Sequence, residues 1–308
     1  MKLYLHIGSH KSGSSSIQSF IEDNQLLFLE AGVFIDESLT FKDQWKIAAW
    51  AGYPKNTDYF VNTLAFNESE LRDLVSGYPE AFRKKLISAQ KAKGFHSCII
   101  SSEFLYSQCS DEIAIENLAV LFKSVFSSVT ILFYFRDQVS MAKSVYKQLV
   151  NGPAMASMSY EEFVETVTED SVFNYEELLK RWAIFFGYEN IKVAQLGNKS
   201  GCLQGEDLLL HFASSIKLRD QPFVLRVKVA NQSPSFYAIQ IIRYLNRVST
   251  NKYFRISFNN IFLRAVKKMI KLLPIKGQFP KELDETIANR FKPSDTATAS
   301  IFSTNDRK

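Results

Sequence analysis

Cysteine, proline, glycine and histidine are all scarce in this 308-residue chain, with 3, 8, 12 and 4 respectively. Cys98, Cys109 and Cys202 form neither a disulfide framework nor a CxxC metal-ligand pair, so a stapled secreted scaffold is excluded and reduced, mostly buried thiols are expected. No stretch rich in Pro, Gly or Ser reads as a linker, which predicts one domain over residues 1–308. Long apolar runs are missing too: the best, Val129 to Phe135, is far below the roughly 18–20 residues of a membrane span. The apolar start of MKLYLHIGSHKSG ends too early for a signal-peptide core of about 7–15 residues, and a cytoplasmic protein is expected. Acidic residues vanish from one segment: His211 to Lys281 holds 14 Lys and Arg against the single acid Asp220.

What is abundant is core material. Apolar residues make up 46% of the chain, with 26 Phe and 13 Tyr, enough to bury a large interior and to exclude a disordered or fibrous chain. The net charge of +5 hides the segregation: the basic segment 211–281 is balanced by an acidic remainder. Such a split invites a polyanion, nucleic acid or membrane surface. Nucleic acid is disfavoured, because the stretch lacks any recognised groove-reading or RNA-binding motif.

Patterning gives the architecture. Lys2 to Ile7 alternates as a strand, and from Ser15 to Ala31 apolar residues recur at helical spacing, with Gly32 as the stop. Further strands are predicted at Val33–Ile35, His96–Ser102, Val129–Phe135 and Ile191–Leu196. Helices are predicted at Glu80–Lys93, Asp111–Phe126, Tyr175–Phe186, Ser235–Val248, Asn259–Leu273 and Asp284–Phe291, with a frayed tail after Pro293. These predict an α/β protein: a P-loop-like three-layer fold with a central parallel β-sheet flanked by helices and a helical, basic C-terminal part.

Two segments carry chemistry. The first, GSHKSGSSS from Gly8 to Ser16, lies between strand and helix. Glycines there permit tight turns, backbone N–H groups and a helix N-terminus favour an anion, and Lys11 adds a full charge. Lys11 precedes Gly13 by two residues, so this is not the GxxxxGK[ST] loop of nucleotide kinases. The second segment, FYFRDQVSMAKSVY, ends an apolar strand with Arg136 and places Ser144 eight residues on, inside a predicted helix. A guanidinium and a hydroxyl so spaced suit one phosphate; an Arg136–Asp137 pair is the alternative.

HIGSHKSGSSSIQ, from His6 to Gln18, resembles the 5′-phosphosulfate loop of sulfotransferases that use 3′-phosphoadenosine 5′-phosphosulfate (PAPS), in particular the bacterial glycan-modifying branch. Serines stand where that branch commonly has threonines. Arg136 and Ser144 are similar in type and spacing to the family's 3′-phosphate motif, although Gln138 replaces its usual proline. Asn174–Trp182 looks like the helix carrying an aromatic near the adenine, with Tyr175 as the stacking residue and Trp182 in the core; Asn231–Ser235 resembles another bacterial segment.

The resemblance implies PAPS held by His10, Lys11, Ser12, Gly13, Ser14, Ser15, Ser16, Arg136, Ser144 and Tyr175, with adenosine 3′,5′-bisphosphate (PAP) as product and no metal. Its acceptor would be a hydroxyl of a carbohydrate or glycolipid. Sulfuryl transfer needs positioning, charge stabilisation by Lys11 and a base for the acceptor hydroxyl. Glu103, in ISSEF after the His96–Ser102 strand, is the first candidate base; Asp36, Glu37 and His10 are the alternatives. The rivals are a P-loop phosphotransferase and a non-catalytic nucleotide- or glycan-binding homologue. In the basic segment, Phe262, Val266, Met269, Ile270 and Leu273 are expected on one helical face, which suits either the core or a membrane surface through residues 259–273.

Overall fold

Lys2–His6 extends as β1, and its alternating sequence is overridden by burial: Leu3, Tyr4, Leu5 and His6 are all buried, as in a central strand covered on both faces. The computed structural model describes residues 1–9, 12–35, 45–64, 67–152, 154–169, 172–197, 201–227, 234–249, 261–272 and 277–302. After β1 come α1 (Ser14–Asp23), α2 (Gln25–Glu30), β2 (Val33–Phe34), α3 (Trp45–Gly52), α4 (Thr57–Leu64), α5 (Glu68–Ser76) and α6 (Tyr78–Lys93). The middle of the chain forms β3 (Ser97–Ser101), α7 (Glu103–Gln108), α8 (Glu112–Lys123), β4 (Ser128–Phe135), α9 (Gln138–Asn151) and α10 (Tyr160–Thr166). It closes with α11 (Tyr175–Phe186), β5 (Ile191–Gln195), α12 (Glu206–Ser215), α13 (Phe236–Ser249), α14 (Ile261–Leu272) and α15 (Lys281–Phe302).

The chain divides into two compact units. The first comprises Met1–Arg136, Tyr175–Lys228 and Ser294–Lys308, and the second Asp137–Asn174 and Val229–Pro293. Each is assembled from separated stretches, so no single linker marks the division in the sequence.

The first unit holds a five-stranded sheet in the order β2-β3-β1-β4-β5, with every neighbouring pair parallel. Along β4 the two faces separate. Leu132 and Tyr134 join the cluster formed with Ile17 and Phe20 of α1 and Leu209 and Phe212 of α12. Phe133 instead meets Tyr106 of α7 and Tyr175 of α11, at ring distances of 5.9 and 5.6 Å. Helices therefore cover both faces, giving the expected three layers.

The helix predicted from Ser15 to Ala31 is interrupted. Asn24 leaves helical geometry at φ −115°, donates from Nδ2 to the Phe20 carbonyl at 2.8 Å and the Val224 carbonyl at 3.0 Å, and accepts from the Val224 amide at 2.7 Å. A short amide side chain that competes for backbone groups ends α1 where apolar spacing alone runs on.

In the second unit, Asn246 of α13 is buried and donates to the carbonyls of Val150 and Ala156 at 2.6 and 3.0 Å, tying α13 to the end of α9. Lys143 of α9 pairs with Asp284 of α15 at 2.5 Å, and Tyr160 of α10 donates to the same carboxylate at 3.3 Å. On α14, Leu263, Lys267 and Ile270 form the buried stripe, while Met269 is 68% exposed. The face is thus turned from the expected one: Met269 lies off it and Lys267 on it. The expected fraying after Pro293 is also corrected, since α15 continues to Phe302. Ser294 accepts a hydrogen bond from the Glu176 amide in the first turn of α11 at 3.3 Å, and Thr298 is buried.

Candidate functional site

Strand order reverses beside β1: the chain leaves β1 toward β2 and β3 on one side, then crosses to β4 and β5 on the other. In open parallel sheets, ligands bind at the carboxyl ends beside such a switch point. Both chemistry-bearing segments reach that edge. Ile7 and Ser9 donate their amides to Leu132 and Tyr134 of β4 at 3.1 and 3.5 Å, so the loop after β1 follows β4 almost to its end, where Arg136 emerges exposed.

Inside the loop, Ser9 and Ser12 are wholly buried. The Ser9 hydroxyl donates to the Tyr134 carbonyl at 3.0 Å and shares a short bond with the Ser12 hydroxyl, while the Ser12 amide donates to the Ser9 carbonyl at 3.3 Å. These two hydroxyls hold the loop to the sheet, so Ser12 offers a ligand less of its side chain than its sequence position suggests. His10 and Lys11 lie outside the described residues, as do Asp36 and Glu37.

Gly13, at φ +75°, opens α1 without a side-chain cap, and no acidic residue occupies the first turn. The amides of Ser14 and Ser15 therefore have no intrahelical acceptor, and the helix N-terminus is left to an anion. Ser15 is exposed and Ser16 half-buried. Ser14 is only 4% exposed, and its Oγ has no hydrogen-bond partner. Gly8, at φ +25°, lies against it: a β-carbon there would stand 2.5 Å from Ser14 Oγ and 3.2 Å from His6 Nε2. A side chain at position 8 would fill the cradle.

His6 joins the site although no motif in the sequence singles it out. It is fully buried at the end of β1, its Nδ1 is 2.7 Å from Ser101 Oγ, and its Nε2 is unpartnered beneath Gly8. Burial lowers its pKa to about 3, so the ring is neutral around pH 7. Gln18 of α1 donates to the Ser101 carbonyl at 3.3 Å, which links the far end of the His6–Gln18 segment to the same strand. The signal available in the sequence was a polar side chain ending a strand that is otherwise apolar on its buried positions.

Glu103 begins α7 directly after β3, half-buried, and the preceding Ser102 donates its amide to the His6 carbonyl at 2.9 Å, so Glu103 starts one residue past the loop's root. Tyr175 has no exposed surface and packs on Phe133, Phe135 and Tyr106, which leaves it no free face for stacking on a base. Trp182 lies in the core as expected. Ser144 lies on α9 in the second unit, half-buried, and Asp137, rather than pairing with Arg136, caps α9 by accepting the Ser140 amide at 2.9 Å. Asn231 is outside the described residues.

Among the described residues, no group of three or more His, Cys, Asp and Glu side chains could hold a metal ion, and no helix is long and apolar enough to cross a membrane. No family model matches the chain, and no curated protein matches it. Among solved structures it is similar to the crystal structure of a sulfotransferase from Alicyclobacillus acidocaldarius, at 15% identity over 97% of this chain and 95% of that one, with a TM-score of 0.46.

Proposed function

We propose that the protein is a sulfotransferase that moves the sulfuryl group of PAPS to a hydroxyl of a carbohydrate-containing acceptor. The observation that carries this reading is the cradle at Gly8 and Ser14. A buried hydroxyl without a partner, a glycine that keeps the space beside it open and an uncapped helix N-terminus meet in the segment that resembles a 5′-phosphosulfate loop. A tetrahedral oxyanion fits that donor set.

In this reading the amides of Ser14 and Ser15 and the hydroxyls of Ser14, Ser15 and Ser16 bind the phosphosulfate end, and Lys11 offsets the charge that develops as the sulfuryl group departs. Arg136 binds the 3′-phosphate, with Ser144 assigned to the same group on the resemblance. PAPS itself supplies an activated sulfuryl group and a stable leaving group. His6, kept neutral by burial, supports the floor of the loop through Ser101 without adding charge to it. Glu103 takes the acceptor proton, with Asp36, Glu37 and His10 as the alternatives.

Two measurements test the division of labour. Arg136→Ala is expected to raise the dissociation constant of PAP about 10- to 100-fold, the scale of lost charge-assisted hydrogen bonds. Unchanged PAP affinity by calorimetry would remove Arg136 from the site. Glu103→Gln is expected to lower turnover by about 10² or more while PAP affinity holds. If turnover is unaltered, another group is the base.

A further inference from the structure

The second unit contains a cavity of about 670 Å³ lined by Ser157, Met158, Ser159, Glu162, Arg243, Tyr244 and Arg247. Arg243, Tyr244 and Arg247 stand at i, i+1 and i+4 on α13, so the two guanidinium groups share a face one turn apart. The helix beneath them is held in place by the buried Asn246 bonds to Val150 and Ala156. Tyr244 is 67% exposed, a large ring left in water beside two cations.

Glu162 is the acid of this wall. One carboxylate oxygen accepts the Ser159 amide at 2.5 Å, and its amide donates back to Ser159 Oγ at 3.0 Å. Those Ser159 bonds hold its pKa below the usual carboxylate range, with Arg243 and Arg247 adding to them, so it is ionised near neutrality. The cavity thus combines two fork-shaped cations, a fixed anion, two serine hydroxyls and an exposed aromatic face.

This mixture selects among ligand classes. A dense polyphosphate or nucleic acid would meet Glu162 as a like charge, and a neutral sugar would bring no counter-charge to Arg243 and Arg247. A saccharide that carries an acidic substituent satisfies every element. Its carboxylate or sulfate takes the Arg243 and Arg247 forks, its hydroxyls donate to Glu162, and the apolar face of its ring lies on Tyr244. We infer that this cavity is a binding site for an acidic saccharide. Its identification as the acceptor of the proposed transfer rests on the sulfotransferase reading; the binding itself does not.

The test is calorimetric titration of the full chain, without any nucleotide, with a galacturonic acid tetrasaccharide, a sulfated galactose tetrasaccharide and a neutral galactose tetrasaccharide. At least one acidic probe is expected to bind ten-fold or more tightly than the neutral one, with affinity falling as salt rises. Arg247→Glu and Tyr244→Ala, both at exposed positions, are expected to weaken it at least ten-fold with an unchanged unfolding midpoint. Binding of the neutral probe as tight as that of both acidic ones, or variants that bind like the parent, would overturn the assignment. Because no donor is present, a failure of sulfuryl transfer leaves this result untouched, and the reverse also holds.

Discussion

Lys11→Ala is expected to lower sulfuryl transfer by about two to three orders of magnitude at saturating PAPS, while PAP affinity stays within a few-fold of the parent. A single preorganised group aimed at developing charge typically contributes on the order of 3–4 kcal/mol to a transition state, which is that loss in rate. Lys11 stands two residues before Gly13, the residue that opens α1, in a loop whose other side chains are serine hydroxyls and the imidazole of His10. It is the loop's full positive charge. PAP lacks the sulfuryl group, so its binding leans on Arg136 and the loop amides rather than on Lys11. Single-turnover rates with labelled donor, set beside PAP titrations, separate the two contributions. Near-normal turnover in this variant would remove the loop from the chemistry.

The second large effect is an acid-dependent loss of stability that traces to His6. In the unfolded chain this imidazole takes a proton near pH 6.5, whereas burial holds it unprotonated in the folded protein down to about 3. Between those values the unfolded state binds the extra proton. Stability is therefore complete above about pH 6.5 and falls as pH drops toward 3, by up to about 1.4 kcal/mol per unit. Over the two units from pH 6 to pH 4 that amounts to roughly 2–3 kcal/mol from one residue. Carboxylates titrate in the same range, so the measurement is the difference between parent and His6→Asn in urea unfolding at pH 7, 6, 5 and 4. The variant is expected to start lower at pH 7 and to lose less on acidification. Parallel curves would mean that His6 is hydrated and titrates as it does in the unfolded chain.

Most of the sheet could be read from the sequence because its strands are short apolar runs bounded by polar tips. Ser97–Ser101, Ser128–Phe135 and Ile191–Gln195 fall within a residue or so of their expected limits, and Tyr175–Phe186 matches at both ends. Such runs announce themselves locally. The features without a local pattern depend on partners distant in the chain. Asn24 breaks a helix because the backbone of Val224 accepts and returns its bonds, a pairing 200 residues away. Past Pro293 the helix α15 runs on to Phe302, with Ser294 serving the first turn of α11.

The same distinction governs the site. The loop and Arg136 carry their meaning in type and spacing, and both reach the carboxyl edge of the sheet. His6 does not, because its role comes from Ser101 at its side, 95 residues away, as well as from Gly8 above it. Tyr175 shows the opposite error. An aromatic at a suggestive position in a helix is taken by the core when three other rings lie within reach.

The most direct test of the central claim is a competitive titration of the cradle between PAP and ATP, read by calorimetry on the parent protein and on Arg136→Ala. PAP is expected to bind the parent at least ten-fold more tightly than ATP, without added metal, and Arg136→Ala is expected to abolish the preference. ATP bound as tightly as PAP, or a preference for PAP that survives loss of Arg136, would contradict that claim.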